Sequence, residues 1–254
     1  WAPFEHLDPI PPDPDYPDLD VEQVKRMTRE YLASIRGIDR NPGTVLSLLD
    51  ELQLTENTIV IFTSDHGYNM GHNGIWHKGN GKWATFNNPP ATDTIAKGYR
   101  PNMYDNSIRV PAIVRWPGVI ESGTRVENTT SSLDWYPTIC AMVGIKVPKN
   151  VLVRGRNIMP LLKGEFVEQW ENDFYGEYQM VNYCQSYMRM YRTREWKLIR
   201  DFRNPERDEL YNLTKDPEEN FNLINSSSRI VELIIDELDK KIAEKMKELN
   251  DPLI

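Results

Sequence analysis

The sequence predicts an α/β protein: an α/β sandwich followed by a small antiparallel sheet with a C-terminal packing helix. Three observations carry this. Residues 57–63 (NTIVIFT) form a β-branched apolar run without alternation, the pattern of a strand covered on both faces in a parallel sheet packed by helices. Short strand candidates separated by turns crowd into residues 174–213. A last stripe, Ile230, Leu233, Ile234, Leu238, Ile242, Met246 and Leu249, recurs at helical spacing.

Taken in order, residues 7–19 (LDPIPPDPDYPDL) hold five prolines and read as an extended lead-in. Asp20 with Gln23 resembles a capping box, and Val24, Met27, Tyr31, Ile35 and Ile38 predict a helix to about Arg40. Asn41-Pro42-Gly43 predicts a kink or restart, after which Val45, Leu49 and Leu52 resume the stripe. The strand at 57–63 follows. Residues 79–103 read as a long functional or mobile loop, in which Trp83, Phe86 and Tyr99 are candidates to stack on a sugar or aryl ring, or to pack internally. Residues 108–116 (IRVPAIVRW) predict a second strand with Pro111 at an edge or bulge. Ser132 opens a short helix with Leu133, Tyr136, Ile139 and Val143 on one face, stopped by Gly144. Composition shifts near Lys163, and strands are predicted at 174–180, 188–193, 196–202 and 208–213. The division expected is a larger part, 1–165, and a smaller one, 166–254.

The formal charge of −8 over 254 residues argues against a nucleic-acid partner, which needs a basic face. The apolar runs are too short to span a bilayer. Cys140 and Cys184 are the only cysteines, so the chain has no disulfide framework, and each reads as a small buried hydrophobe. A start at Trp1 without an initiator Met reads as a processed or excised piece.

The chemistry gathers just past the first strand, in residues 63–83 (TSDHGYNMGHNGIWHKGNGKW). Ligands in open α/β sheets collect beyond the carboxyl ends of strands. Asp65 and His66 can offer a carboxylate oxygen and an imidazole nitrogen to one divalent cation. Lys78 lies in a Gly-rich turn where ammonium and backbone can approach an anion. His72 and His77 titrate near neutrality and suit proton donation or substrate contact, and Asn73 and Asn80 can offer amides. Each also has a plainer role: a turn cap for Asp65, a solvated cation for Lys78, loop histidines elsewhere. Together they point to a hydrolase acting on an anionic ester, without separating phosphate, phosphonate and sulfate.

The blocks NTIVIFTSDHG, MGHNGIWHKG and NMYDNSIRVPAIVRWPGVI resemble consecutive blocks of the type I sulfatase family, of the alkaline phosphatase superfamily. YLASIRGIDRNPGTVLSLLDEL upstream, and LDWYPTICAMVGI, RGRNIMPLLKG and DELYNLTKDPEENFNL downstream, resemble its flanking blocks in the same order. The resemblance implies the later part of the large α/β domain and the C-terminal subdomain of a calcium-dependent sulfuric ester hydrolase acting on a sulfated small molecule or carbohydrate. It implies Asp65 and His66 as Ca2+ ligands, Lys78 and His72 as catalytic residues that also contact the substrate, and Asn73 as a further substrate contact, standing where His is commoner. Asp105 and Arg109 match a block whose roles are mainly structural. The family's formylglycine arises from a Cys/Ser-x-Pro-x-Arg motif that neither cysteine fits, and Ser-x-Pro-x-Arg does not occur. The nucleophile and its partner aspartates are therefore expected in an N-terminal half outside this chain, and the chain alone is expected to be inactive. Self-association through exposed sheet edges is a further expectation. The family implies a periplasmic, secreted or lysosomal setting. The alternatives are a phosphonate or phosphate ester hydrolase of the same superfamily, or a non-catalytic binder of sulfated glycans.

Overall fold

The computed structural model describes residues 16–254, so most of the predicted lead-in lies outside the described residues. The chain packs as two compact units. One takes the described residues up to Ile38, His66–Arg109 and Asp173–Ile254; the other takes Asp39–Asp65 and Val110–Asn172.

Helix α1, Val21–Glu51, is capped by Asp20, whose carboxylate accepts the Gln23 N–H at 3.0 Å. It continues unbroken through Pro42, where the sequence predicts a kink or restart. A proline removes a single donor from the helical ladder, and nearby the Thr44 hydroxyl donates to the Arg40 carbonyl at 3.2 Å. Val24 packs with Leu19, Trp76 and Ala84, while Ile35 and Ile38 of the same stripe are exposed.

In the second unit, β1 (Val60–Thr63) pairs with β5 (Ala112–Arg115) from Val60↔Arg115 to Thr63↔Ala112. The pairing is antiparallel, which corrects the parallel, fully covered strand expected from the unbroken apolar run. Ile59, Ile61 and Val114 pack against Met142, Ile158, Met159, Leu161 and Leu162, whereas Phe62 and Ile113 are exposed. Helix α3 (Trp135–Met142) follows a capping box of Ser131 and Asp134 and ends at Gly144, whose φ of +70° suits glycine. Its Leu133, Tyr136, Ile139 and Val143 face is exposed rather than packed. The second Asp134 oxygen accepts the Arg156 N–H at 2.6 Å, and the Arg156 guanidinium lies 3.9 Å from the Trp170 ring centre. Cys140, expected to be buried, is only partly so.

In the first unit, β6 (Phe174–Met180), β7 (Ser186–Arg192), β8 (Trp196–Asp201) and β9 (Glu209–Asn212) form an antiparallel meander in chain order. Side chains alternate between its faces. Met188, Met190, Ile199 and Tyr211 meet Ile75, Met103 and Tyr104 on one side. Tyr191, Leu198 and Leu210 meet helix α5 (Arg229–Leu249) on the other. The buried line of α5 is Val231, Leu238, Ile242 and Met246, and Ile230 and Leu233 of the predicted stripe are exposed. The helix closes at Asn250 in the left-handed region, with the Asp251 N–H donating to the Met246 carbonyl at 2.9 Å. The Asp251 carboxylate then pairs in bidentate fashion with Arg189, buried on β7.

Candidate functional site

A small antiparallel sheet of β2 (Asn69–Met70), β3 (Ile75–His77) and β4 (Lys82–Trp83) carries most of the predicted site, and β4 gives order to the start of the expected loop at 79–103. After β1 the chain passes through the exposed Asp65 to the half-buried His66. The Gly67 N–H donates to the Ser107 carbonyl at 3.0 Å. A Cβ on Gly67 would lie 2.2 Å from the Asn106 carbonyl oxygen and 2.8 Å from that of Arg109. Only glycine lets the backbone lie flush on the single-turn helix α2, Asp105–Ile108.

That seat aims His66. Its Nδ1–H donates to the Gly67 carbonyl at 2.8 Å, which leaves the Nε2 lone pair to accept from Lys78 Nζ at 3.0 Å. A histidine whose Nδ1 is engaged by a backbone carbonyl has the arrangement usual for metal ligation through Nε2. Here that lone pair faces the Lys78 ammonium. The donor chemistry of His66 thus fits a cation, and the adjacent Asp65 carboxylate adds an oxygen. Among the described residues, no group of three His, Cys, Asp or Glu side chains is placed to hold a metal ion. Calcium takes six to eight oxygen-rich ligands, more than Asp65 and His66 can offer.

Lys78 is exposed in the β3–β4 turn, closed by the Gly81 N–H donating to the Lys78 carbonyl at 2.7 Å. His77 before it has φ +81°, a rare conformation for a non-glycine residue. Its Nδ1 donates to Asn80 Oδ1 at 2.7 Å, and its carbonyl accepts from Asn69 Nδ2 at 3.1 Å. Burial lowers the His77 pKa against the opposing Asn80 bond, and nearby Lys82, Lys78 and His66 add to the lowering.

The other predicted contacts are engaged elsewhere. His72 Nδ1 accepts the Met70 N–H at 3.4 Å, which leaves its Nε2 as the hydrogen-bond donor. Asn73 is buried with φ +53°, and its amide donates to the Glu218 and Glu219 carbonyls at 2.9 and 3.0 Å. The structure therefore brings His66 and Lys78 together and turns Asn73 inward, as a tie to the 215–222 turn.

Sequence reasoning missed the frame beneath the site. Lys197, fully buried on β8, lies 3.0 Å from Asp105 Oδ1 and 2.6 Å from Glu219 Oε1. Glu219 Oε2 accepts the Asp105 N–H at 2.5 Å, and Arg192 grips Asp105 at 2.9 and 3.1 Å. Burial alone would raise the Asp105 pKa, but Lys197 and Arg192 overcome it and hold the carboxyl at about 2. Burial keeps Glu219 above the usual range despite Lys197. Asn69 Nδ2 donates to the Ser107 hydroxyl at 2.6 Å, which donates to Asn102 Oδ1 at 2.7 Å, so the same helical turn is tied to β2. A signal did exist: Lys197 stands inside an otherwise buried strand, where a charge needs a partner.

Two family models match the chain. The model described as Sulfatase matches residues 6–145, and that described as N-sulphoglucosamine sulphohydrolase, C-terminal, matches residues 99–248. Rat (Rattus norvegicus) steryl-sulfatase is 37% identical over 161 residues, which is 62% of this chain and 25% of the relative. N-acetylglucosamine-6-O-sulfatase of Bacteroides thetaiotaomicron is 27% identical over 209 residues, 81% of this chain and 33% of the relative. A solved structure of a protein in complex with its substrate D-glucosamine-2-N,6-O-disulfate superposes with a TM-score of 0.71 at 25% identity, over 92% of this chain and 43% of that one. The chain thus spans a quarter to under a half of the length of these relatives.

Proposed function

The chain belongs to the sulfatase family, and from that premise we propose that it supplies the cation- and sulfate-binding part of a sulfuric ester hydrolase. The observation that carries this is the Lys78 ammonium held 3.0 Å from the His66 Nε2 lone pair, in the residue that follows Asp65 in the chain. A formylglycine and Ca2+, as the family resemblance implies, supply nucleophilic attack on sulfur and charge neutralisation when present. Asp65 and His66 offer an oxygen and a nitrogen to the divalent cation. Lys78 would meet the sulfate oxygens and would offset charge on the departing ester oxygen. Asn73 fixes the turn that carries His72, whose imidazole is the second group proposed to contact substrate. The relatives named for sulfated carbohydrate support a sulfated sugar as substrate class.

Titration of the chain with inorganic sulfate, followed by NMR in the presence of CaCl2, tests the site. Lys78→Ala is expected to weaken binding more than about tenfold, since a charge-assisted pair is lost, whereas Lys163→Ala on the exposed surface changes nothing. Equal binding by both variants would sink the assignment. Turnover of 4-nitrophenyl sulfate by this chain alone would overturn the expectation that the nucleophile lies outside it.

Self-association belongs to the same reading. Exposed Phe62 and Ile113 on the β1–β5 ladder, and the exposed α3 face, are apolar surface of the kind that pairs with another chain. Sedimentation is expected to show concentration-dependent association, reduced by Ile113→Lys. A monomer at all concentrations contradicts this. No helix among the described residues is long and apolar enough to cross a membrane.

A further inference from the structure

The turn that presents Lys78 is fixed more tightly than an exposed lysine requires. The peptide planes on both sides of that residue are pinned. The His77 carbonyl accepts from Asn69 Nδ2 at 3.1 Å, and the Lys78 carbonyl accepts the Gly81 N–H at 2.7 Å. Asn69 is fully buried, and the same amide donates to the Ser107 hydroxyl at 2.6 Å. Beyond the turn, the Asn102 N–H donates to the Gly79 carbonyl at 2.8 Å, and the Arg100 N–H to the Gly81 carbonyl at 3.0 Å. With both neighbouring planes held, the Cα–Cβ direction of Lys78 is set by the backbone.

Two side chains close the turn from within. His77 Nδ1 donates to Asn80 Oδ1 at 2.7 Å, three residues on. The His77 ring also packs against Tyr68, with 5.7 Å between ring centres, and Tyr68 stacks on Tyr31 of α1 at 5.7 Å. This side chain stands on a backbone with φ +81°, which glycine adopts freely and histidine only with strain. Glycines already occupy positions 79 and 81 of the same turn. A turn that only reverses the chain gains nothing from histidine at 77, so the strain is offset by what the side chain does.

We propose that His77 and Asn80 are positioning residues for Lys78: their side chains latch the turn, hold the left-handed backbone at His77, and so fix the line along which the ammonium leaves it. What Lys78 meets rests on the sulfatase reading above, whereas the latch rests on the contacts just given. Lysine carries its charge on a long flexible stem, and freedom removed in advance is not lost when an anion binds. The latch reaches Lys78 through the backbone and does not touch the ligand. The sequence offered the His77 imidazole and the Asn80 amide as substrate contacts; the structure turns Nδ1 and Oδ1 on each other instead.

The test applies two readouts to the full chain: NMR relaxation of the Lys78 and Gly79 amides, and calorimetric binding of inorganic sulfate with CaCl2. In the parent these amides are expected near the rigid-backbone order parameter of about 0.85. His77→Gly leaves the backbone free to adopt φ +81° and removes the latch. It is expected to lower the order parameters toward about 0.6 and to weaken sulfate roughly 3- to 10-fold, the size of one lost hydrogen bond. Its melting temperature should stay near the parent's, because relief of strain offsets the lost bond. His77→Asn should restore both readouts, since asparagine tolerates the left-handed region and its Nδ2 takes the place of the histidine Nδ1. Asn80→Ala should behave as His77→Gly does. Rigid amides in His77→Gly, or no rescue by His77→Asn, overturn the latch. Looser amides with unchanged sulfate affinity overturn its role toward Lys78. If the parent itself binds no sulfate, the sulfatase reading of Lys78 falls, and relaxation alone still upholds or overturns the latch.

Discussion

Lys197→Met is expected to destabilise the protein by about 3–5 kcal/mol near neutral pH, a large share of the 5–15 kcal/mol typical of a domain. The substitution keeps the volume but leaves the buried Asp105 and Glu219 carboxylates without the ammonium between them. Arg192 still answers Asp105, so Glu219 bears most of the loss. The pH dependence follows from the direction of each shift. Glu219 is already raised by burial, and losing Lys197 raises it further; the variant therefore loses stability as pH climbs above the ordinary glutamate range. Asp105, held at about 2, contributes stability above its ordinary 3.8 that disappears as pH falls toward 2. Thermal melts should show a wider gap between parent and variant at pH 8 than at pH 5. Adding Glu219→Gln to Lys197→Met should recover part of the loss, because the amide keeps an acceptor for the Asp105 N–H without a charge. A pH-independent gap, or no recovery in the double variant, contradicts the assignment.

Gly67→Ala is expected to cost stability of about 1–3 kcal/mol and to abolish the cation and sulfate binding proposed for His66 and Lys78. The obstruction is backbone, with the Asn106 carbonyl oxygen 2.2 Å from the new methyl, so no side-chain rotation relieves it. Displacing Gly67 also breaks its N–H bond to Ser107 and the carbonyl contact that orients the His66 ring. Gly37→Ala is the control: it sits in α1 with nothing within 4 Å of its Cβ and should stabilise by about 0.5–1 kcal/mol. Melting temperature and the NMR shift of the His66 ring read the two effects separately. Normal sulfate affinity in Gly67→Ala would refute the role given to this contact.

The parts of the fold legible in the sequence are those with local causes. The four strands of the C-terminal sheet are separated by turns, and α5 shows its period, though the buried line turned out to be Val231 rather than Ile230 and Leu233. The direction of β1 was not legible, because its partner β5 lies about fifty residues on and an apolar run carries no sign of parallel or antiparallel pairing. The helix does not restart at Pro42, because one missing donor does not end the ladder. At the candidate site, the motif singles out His66 and Lys78, but not their direct contact. Asn73 turning inward, and the identity of the two acids that Lys197 bridges, depend on contacts with residues up to 146 positions away, which the local sequence does not name.

Glu219 is bonded in two directions at once. Its carbonyl holds Asn73 in the turn that carries His72, while its side chain holds Asp105 and Lys197 under the turn on which Gly67 rests. Opening the 215–222 segment therefore releases both sides of the candidate site in one event. Their amides are expected to exchange as a single cooperative unit, and a ligand that clamps this segment to protect the His72 turn and the Gly67 seat together.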